Sequence, residues 1–188
     1  MNIGIIGAGK VGVSVGRYLK DNNIQIAGFY DVDCENAVFA AQFTKTDCFS
    51  DLEKLVRMSD TLFITTPDAV IGNVWDCIIK NNMSVQNKIV CHFSGALSSD
   101  VFTDSQSTGA SVCSIHPMLA FSDKLTSYRI PANTFFALEG DETAVSALKS
   151  LFENLGNIVC RIDKSKKSLY HTAASVLSND IVAVLDMG

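Results

Sequence analysis

The sequence predicts an α/β protein whose core is a doubly wound, mostly parallel sheet. Apolar runs of strand length alternate with helix-length segments from the first residue onward, as in strands joined by crossover helices. A glycine-rich turn follows the first apolar run and opens the first helical segment. With 188 residues, 47% of them hydrophobic, the chain can bury one core of ordinary domain size.

Each element of the first half follows from local periodicity and from residues that start or stop helices. Asp33 precedes a helical segment and is predicted to cap it, and Asp68 is predicted to do the same after Pro67. Strands are predicted at residues 2–6, 24–30, 47–49 and 61–65, and helices at 10–20, 34–43, 50–58 and from 68 onward.

The second half repeats the alternation and then becomes wholly helical. Strands are predicted at 88–93, 110–115, 133–139 and 157–162, with a helix at 141–155 that Gly156 closes in a left-handed conformation. Helical periodicity resumes at Ser165 and continues to Asp186. We therefore expect a sheet domain at 1–163 and the first helix of a helical domain at 164–188.

Charge and cysteine usage exclude several classes of protein. The formal net charge is −5 and no basic patch is visible, which excludes a nucleic-acid partner; the short run Lys164, Lys166 and Lys167 predicts only the solvated start of a helix. The 6 cysteines show neither C-x-x-C spacing nor paired histidines, and so predict buried free thiols rather than disulfides or a metal site. Without a signal peptide or an apolar run of ~20 residues, we expect a cytoplasmic protein that does not enter a membrane.

The glycine-rich turn predicts a dinucleotide site of the Rossmann type. The G-x-G-x-x-G pattern lies between a strand and a helix, the context in which it binds a pyrophosphate. The first glycine permits the tight turn, the second lets the backbone approach phosphate, and the third lets the helix pack closely on the sheet. The helix N-terminus adds free N–H groups and a positive dipole end. The candidate cofactor residues here are Gly7, Ala8, Gly9, Lys10, Val11 and Gly12.

Two further segments are predicted to line the cofactor. Asp31 ends the second strand, where a carboxylate accepts hydrogen bonds from ribose hydroxyls and repels a 2′-phosphate, so it favours NAD, with NADP left possible. Thr65, Thr66 and Pro67 end the fourth strand at the same edge of the sheet. A plain strand-to-helix turn is the alternative interpretation of this segment, and both interpretations can hold together.

Two histidines at strand ends are the first candidates for acid–base chemistry. His92 follows the fifth strand together with Ser94, and His116 follows the sixth. An imidazole at that edge can relay a proton while hydride moves, and Ser94 is predicted to bind substrate or the cofactor carboxamide. The alternative is that both imidazoles are structural. We take His116 as the first choice of proton donor or acceptor.

These motifs, taken together, resemble those of one bacterial family. They are the glycine turn, His92-x-Ser94-Gly95-Ala96-Leu97, Ser114-Ile115-His116-Pro117 with Phe121, and Tyr170-His171-x-Ala173-Ala174 with Asn179. The family pairs a Rossmann-like NAD(P)-binding domain with a helical domain of unknown function. More distantly the chain is similar to pyrroline-5-carboxylate reductases, β-hydroxyacid dehydrogenases and prephenate dehydrogenases. The resemblance implies an NAD(P)-dependent oxidoreductase. His171 and Asn179, eight residues apart near one face of the last helix, are further catalytic candidates; the alternative is that they are only polar groups on the helix surface.

The sequence departs from these relatives in two places. β-Hydroxyacid dehydrogenases carry a lysine four residues before an asparagine on this last helix, whereas Ser175 stands four residues before Asn179 here. This difference shifts the expected proton chemistry to the histidines. The resemblance also implies that the helical domain continues for about one further domain length, so the chain is expected to hold only its beginning.

The last helical segment is apolar on nearly every face. Such a helix must be buried against something, and the crossover helices already cover the sheet. We therefore expect a homodimer formed through this helix. The function expected is hydride transfer to or from a small polar metabolite; the alternative is a nucleotide-binding module or sensor without chemistry.

Overall fold

The computed structural model describes residues 1–130 and 133–176, and within them eight strands form a single sheet. The strand order is β3-β2-β1-β4-β5-β6-β7-β8. The strands are β1 (Asn2–Ile6), β2 (Gln25–Tyr30), β3 (Asp47–Cys48), β4 (Thr61–Ile64), β5 (Ile89–His92), β6 (Ser111–Pro117), β7 (Phe135–Gly140) and β8 (Ile158–Arg161). The helices are α1 (Lys10–Asp21), α2 (Cys34–Thr44), α3 (Leu52–Met58), α4 (Asp68–Lys80), α5 (Ser105–Thr108), α6 (Glu142–Asn154) and α7 (Lys167–Ser175).

The sheet confirms the predicted α/β, doubly wound class. The first six strands are parallel to one another, and β7 pairs antiparallel with β6. A parallel return needs a long crossover such as a helix, whereas the chain between β6 and β7 contains no helix within residues 118–130. The final strand β8 then pairs parallel with β7 after the crossover helix α6.

Two apolar cores lie on the two sides of the sheet. Because successive strand residues point to opposite faces, Ile5 packs with Leu19 of α1 and Phe152 of α6, while Ile6 packs with Trp75 of α4. All five side chains are essentially buried. The sheet is therefore covered on both faces, as near-continuous apolar strands require.

Helix ends explain one confirmed prediction and one wrong one. Asp33 caps α2, because its carboxylate accepts a hydrogen bond from Glu35 N at 3.0 Å. Asp68 was expected to cap α4 but is instead its first residue, with Pro67 at the cap position. The Asp68 carboxylate is therefore available for a contact elsewhere, which is described below.

The cysteine prediction is correct for two residues and wrong for four. Cys91 and Cys113 are buried side by side at paired positions of β5 and β6. The free thiols on helices or edge strands are exposed: Cys34, Cys48, Cys77 and Cys160. Strand positions at the centre of the sheet bury a thiol, whereas these outer positions do not.

The C-terminal helix begins slightly later than predicted. A 3₁₀ turn spans Lys164–Lys166, and α7 starts at Lys167. Asn179 and the rest of the predicted apolar stripe beyond 176 lie outside the described residues. Among the helices that the structure describes, none is long and apolar enough to cross a membrane.

Candidate functional site

The glycine turn joins β1 to α1 through close backbone contacts. Gly7 adopts a φ of +103°, which favours glycine, and a Cβ on Gly12 would lie 2.1 Å from Gly7 O. Helix α1 therefore approaches the strand end as only a glycine allows. Gly9 differs, since a Cβ there would meet no atom within 4 Å. Its backbone faces open space at the N-terminus of α1.

That open space belongs to a cavity of about 400 Å³ at the carboxyl ends of β1, β2 and β4. Of the predicted cofactor residues, the cavity is lined by Gly7, Gly9, Asp31, Thr65, Thr66 and Pro67. The remaining predicted residues support it from behind or beside it. Ala8 is fully buried, Val11 packs against the core, and Lys10 is exposed at the start of α1.

Asp31 ties the second strand to the glycine turn. Its Oδ2 accepts a hydrogen bond from Ala8 N at 2.6 Å, and its Oδ1 accepts one from Asp33 N at 3.0 Å. Each carboxylate oxygen can accept a second hydrogen bond. Asp31 therefore holds the turn in shape and still offers acceptors to the cavity that it lines.

The cavity has the features that a dinucleotide needs. Thr65 Oγ1 donates to Gly7 O at 2.7 Å, which holds the end of β4 against the turn. Thr66 Oγ1 is buried and has no hydrogen-bond partner among the described residues. Thr66 and Gly9 line the same cavity, and an orphaned hydroxyl there suits a ligand that brings its own hydrogen-bonding groups. The residues present thus fit a bound dinucleotide.

A second cavity, of about 1010 Å³, is larger but lies away from the glycine turn. It opens beside α5 and β8 and is lined by Asp100, Asp104, Asp141 and Asp163 among others. Arg161 and Lys164 also line this cavity, and none of the glycine-turn residues does. We therefore place the candidate cofactor site in the smaller cavity, because Gly7 and Gly9 of the glycine turn line it.

His92 was predicted as a catalytic candidate, but the structure gives it an internal role. The side chain is fully buried; Nδ1 accepts from Ser94 N and Nε2 donates to Ser98 O, each at 3.2 Å. Burial, together with the nearby positive charge of Lys167, lowers the pKa of His92 to about 3. With both nitrogens engaged, the neutral imidazole braces the loop after β5 instead of reaching a substrate.

Ser94 is also engaged within the protein, contrary to its predicted contact with substrate. Its hydroxyl donates to Asp68 Oδ2 at 2.7 Å and accepts from Ala96 N and Leu97 N at 3.1 and 3.0 Å. The Asp68 carboxylate, which does not cap α4, therefore accepts a hydrogen bond from Ser94. Ser94 therefore joins the loop after β5 to the start of α4.

His116 lies at the centre of a polar cluster formed with α7. Its Nδ1 is 3.1 Å from Tyr170 Oη, and its ring lies edge-on to that of His171 with centroids 5.6 Å apart. A Cβ on Gly95 would lie 2.7 Å from His116 Nε2 and 2.4 Å from His171 Nδ1. Both ring nitrogens therefore face the one position in this loop that has no side chain.

The electrostatics of the cluster keep His116 neutral at pH 7. Burial, His171 and Lys167 lower the pKa of His116 to about 4, against the opposing effect of Asp68. His171 Nδ1 is buried and has no hydrogen-bond partner among the described residues. The cluster therefore places two imidazole nitrogens, His116 Nε2 and His171 Nδ1, next to Gly95.

Lys167 is the residue of this region that the sequence interpretation missed. Instead of a solvated helix start, its side chain is 2% exposed, and Nζ donates to Ser114 Oγ and, at 3.1 Å, to Glu139 Oε1. A signal was present in the sequence, because Glu139 occupies an inward position of the apolar strand β7. A carboxylate at such a position requires a cationic partner.

The sheet topology and the glycine turn together define a protein of the Rossmann-like class. Residues 1–117 match the family model described as "Rossmann-like domain", and residues 134–188 match the "Domain of unknown function (DUF2520)". The chain belongs to the Rossmann-like domain family, and this combination of domains confirms the resemblance given by its motifs. No curated protein matches the sequence.

Solved structures with the same fold include several oxidoreductases. Protein TM1727 from Thermotoga maritima is 24% identical, with a TM-score of 0.70 over 97% of this chain and 65% of that one. Prephenate dehydrogenase from Aquifex aeolicus is 15% identical (TM-score 0.78, 98% and 70% covered). A reductive aminase from Aspergillus terreus, in complex with NADPH and ethyl-5-oxohexanoate, is 12% identical (TM-score 0.73, 97% and 62% covered). The chain thus spans about two thirds of the length of these proteins.

The low pKa of His116 predicts a pH dependence of stability. The folded protein keeps this imidazole neutral down to about pH 4, whereas in the unfolded chain it takes up a proton near pH 6.5. The unfolded state binds more protons in that interval, so the free energy of unfolding falls as the pH falls through it. In urea titrations, His116→Gln should reduce this slope by up to about 1 kcal/mol per pH unit. An unchanged slope would contradict a neutral, buried His116.

Proposed function

We propose that the protein binds a nicotinamide dinucleotide at the glycine turn and acts as an NAD(P)-dependent oxidoreductase on a small polar metabolite. The observation that carries the proposal is the open face of Gly9 beside a cavity containing the orphaned Thr66 hydroxyl. The similarity in fold to an NADPH-bound reductive aminase supports it. The nicotinamide, when bound, supplies or accepts a hydride.

The residues of the turn would hold the two ends of the cofactor differently. Backbone N–H groups at Gly9 and the N-terminus of α1 suit the pyrophosphate, because they are unpaired donors at a positive dipole end. Asp31 suits the adenosine ribose. Cavity walls from Val70 and Val74 of α4 offer apolar surface to the adenine ring.

His116 would then handle the proton that accompanies hydride transfer. In the oxidising direction, the substrate O–H or N–H proton passes to Nε2 as the hydride leaves the carbon; in the reducing direction Nε2 returns it. Tyr170 holds Nδ1, and so fixes which nitrogen faces the substrate. His171 Nδ1 provides a second polar contact to the same substrate atom.

The alternative class is a nucleotide-binding module or sensor without chemistry. Such a protein would bind the nucleotide at the same glycine turn, but His116 would transfer no proton. Hydride transfer discriminates the two, since only an oxidoreductase changes the absorbance of the reduced nicotinamide when a substrate is added. The buried free thiols Cys91 and Cys113 support a reducing, cytoplasmic setting for either class.

Gly9→Val tests the binding site. A Cβ there would meet no protein atom within 4 Å, so the valine side chain should extend into the open cradle, and NADH binding should be lost while the unfolding midpoint is unchanged. Calorimetric titration and thermal unfolding measure the two quantities. Gly72→Ala is the matched control, because a Cβ at Gly72 meets its nearest atom at an ordinary 3.5 Å. Normal NADH binding by Gly9→Val would place the site elsewhere.

The carboxylate of Asp31 predicts that the protein prefers NADH to NADPH. A carboxylate at the ribose position repels a 2′-phosphate, so NADH should bind at least tenfold more tightly than NADPH, or ~1.4 kcal/mol. Asp31→Asn removes the charge but keeps an acceptor for Ala8 N, and should narrow the difference. Fluorescence titration with each cofactor measures the ratio. A tenfold preference for NADPH by the unmodified protein would contradict this assignment.

His116→Asn tests the proposed chemistry. Removing a general acid–base group should lower kcat by about 10²–10⁴-fold with little change in the affinity for NADH, because His116 does not line the cofactor cavity. A panel of small alcohols, amines and carbonyl compounds, monitored at the nicotinamide absorbance band, measures turnover. Full activity in the variant would assign the proton step to another group.

We also propose that the protein forms a homodimer through its C-terminal helix. Leu169 and Val176, seven residues apart on one face of this helix, are 71% and 47% exposed, which is unusual for large apolar side chains. Leu169→Asp with Val176→Asp should yield monomers or aggregates that still bind NADH. Light scattering on the unmodified protein at micromolar concentration tests the proposal, and a monodisperse monomer would contradict it.

A further inference from the structure

The buried ion pair between Lys167 and Glu139 lies directly behind the His116 cluster. We propose that this pair is the positioning device of the site, holding α7 and the loop of residues 94–99 against β6. In this way Tyr170, His171 and Gly95 are brought together at His116. The inference rests on the proposed function for the meaning of the cluster, but its geometry is independent of turnover.

The Glu139 side of the pair anchors the loop. Glu139 Oε1 accepts a hydrogen bond from Ser99 N at 2.9 Å, and Oε2 accepts one from Ser99 Oγ at 2.7 Å. Residue 99 ends the loop that begins with Ser94 and Gly95. Two hydrogen bonds from one residue to a buried carboxylate fix this end of the loop in both position and orientation.

The Lys167 side of the pair anchors the helix. Its ammonium donates to Glu139 on β7 and to Ser114 on β6, two residues that face each other across the antiparallel ladder. The Ser114 hydroxyl is in turn 3.4 Å from Ser94 O, at the other end of the loop. One buried charge pair therefore connects two strands, both ends of the loop and the first turn of α7.

Because α7 is a helix, burial of Lys167 also fixes where Tyr170 and His171 lie. Tyr170 and His171 follow Lys167 by three and four residues, so all three lie on one face of α7. When Lys167 is buried against the sheet, the next turn must present Tyr170 and His171 to the same edge, where His116 lies. An exposed Lys167 would leave the rotation of α7 unconstrained by this contact.

An ion pair is an unusual choice for this position. Buried ion pairs stabilise a fold no better than well-packed apolar residues of the same size, so stability alone does not explain one. The charge of the pair also acts on the pKa of His116. The groups near His116 are Tyr170, His171 and Lys167 from α7 and Asp68 from α4. Among these groups His171 and Lys167 oppose protonation of His116, whereas Asp68 favours it.

The test separates positioning from stability with a neutral replacement of the whole pair. Lys167→Met alone leaves a buried, unpaired carboxylate and should lower the unfolding midpoint strongly. Lys167→Met with Glu139→Gln removes both charges and keeps an amide oxygen for Ser99 N. The matched control is Lys164→Met with Asp100→Asn, which neutralises an exposed pair at 2.7 Å in the preceding turn.

The readout is the titration of the His116 ring measured by NMR, with His116→Gln to assign its signal among the 3 histidines. We expect the double variant to regain most of the lost unfolding midpoint, while the His116 titration moves upward toward its ordinary range and the His171 signal shifts. The control pair should change neither. A double variant with unaltered His116 and His171 signals would overturn the proposal, because the pair would then be only a structural contact.

A second variant keeps the test decisive if the double variant does not fold. Ser114→Ala removes one acceptor of the Lys167 ammonium and leaves both charges in place. Amide hydrogen exchange should then accelerate together at Ser99 and in α7, with β1 and β4 unchanged. Acceleration in α7 without Ser99 would overturn the proposal. NADH binding is measured on every variant, so a failure of the proposed function appears separately, as missing binding or hydride transfer by the unmodified protein.

Discussion

A carboxylate in the interior of a sheet is the constraint on which this half of the molecule depends. Glu139 is 2% exposed on a strand whose other inward residues are apolar, and a buried unpaired charge is too costly to keep. The fold resolves this by bringing Lys167 in from helix α7 and Ser99 in from the loop after β5. Both elements are therefore held at the edge of β6 where His116 lies.

The two halves of the candidate site are built on different principles. At the glycine turn the backbone forms the site, because small residues let α1 approach β1 and leave an open face for a ligand. At His116 the site is formed by side chains from β6 and α7, and each of these side chains needs a hydrogen-bond or packing partner to hold its orientation. Ser94 and Asp68 join the halves, since their hydrogen bond connects the loop after β5 to α4.

Burial also divides the histidines into different roles. His92 and His116 both lie near the ends of neighbouring strands, and the sequence pattern made both candidates for acid–base chemistry, with His116 first. In the structure His92 uses both nitrogens on the protein, whereas His116 uses Nδ1 on Tyr170 and turns Nε2 toward Gly95. The difference follows from the loop after β5, which folds back over His92 and leaves His116 at its rim.

The sequence by itself determined the sheet class, the glycine turn and the cap at Asp33, because each depends on periodicity or on a few adjacent residues. It also placed Asp31 and Thr65 at one edge, since parallel strands end together. Only the tertiary structure decided that Lys167 is buried, that Asp68 bonds Ser94, and that His116 meets Tyr170 and His171. Those contacts join residues 26 to 55 positions apart, or depend on how deeply a charge is buried, and neither property is visible in a local sequence pattern.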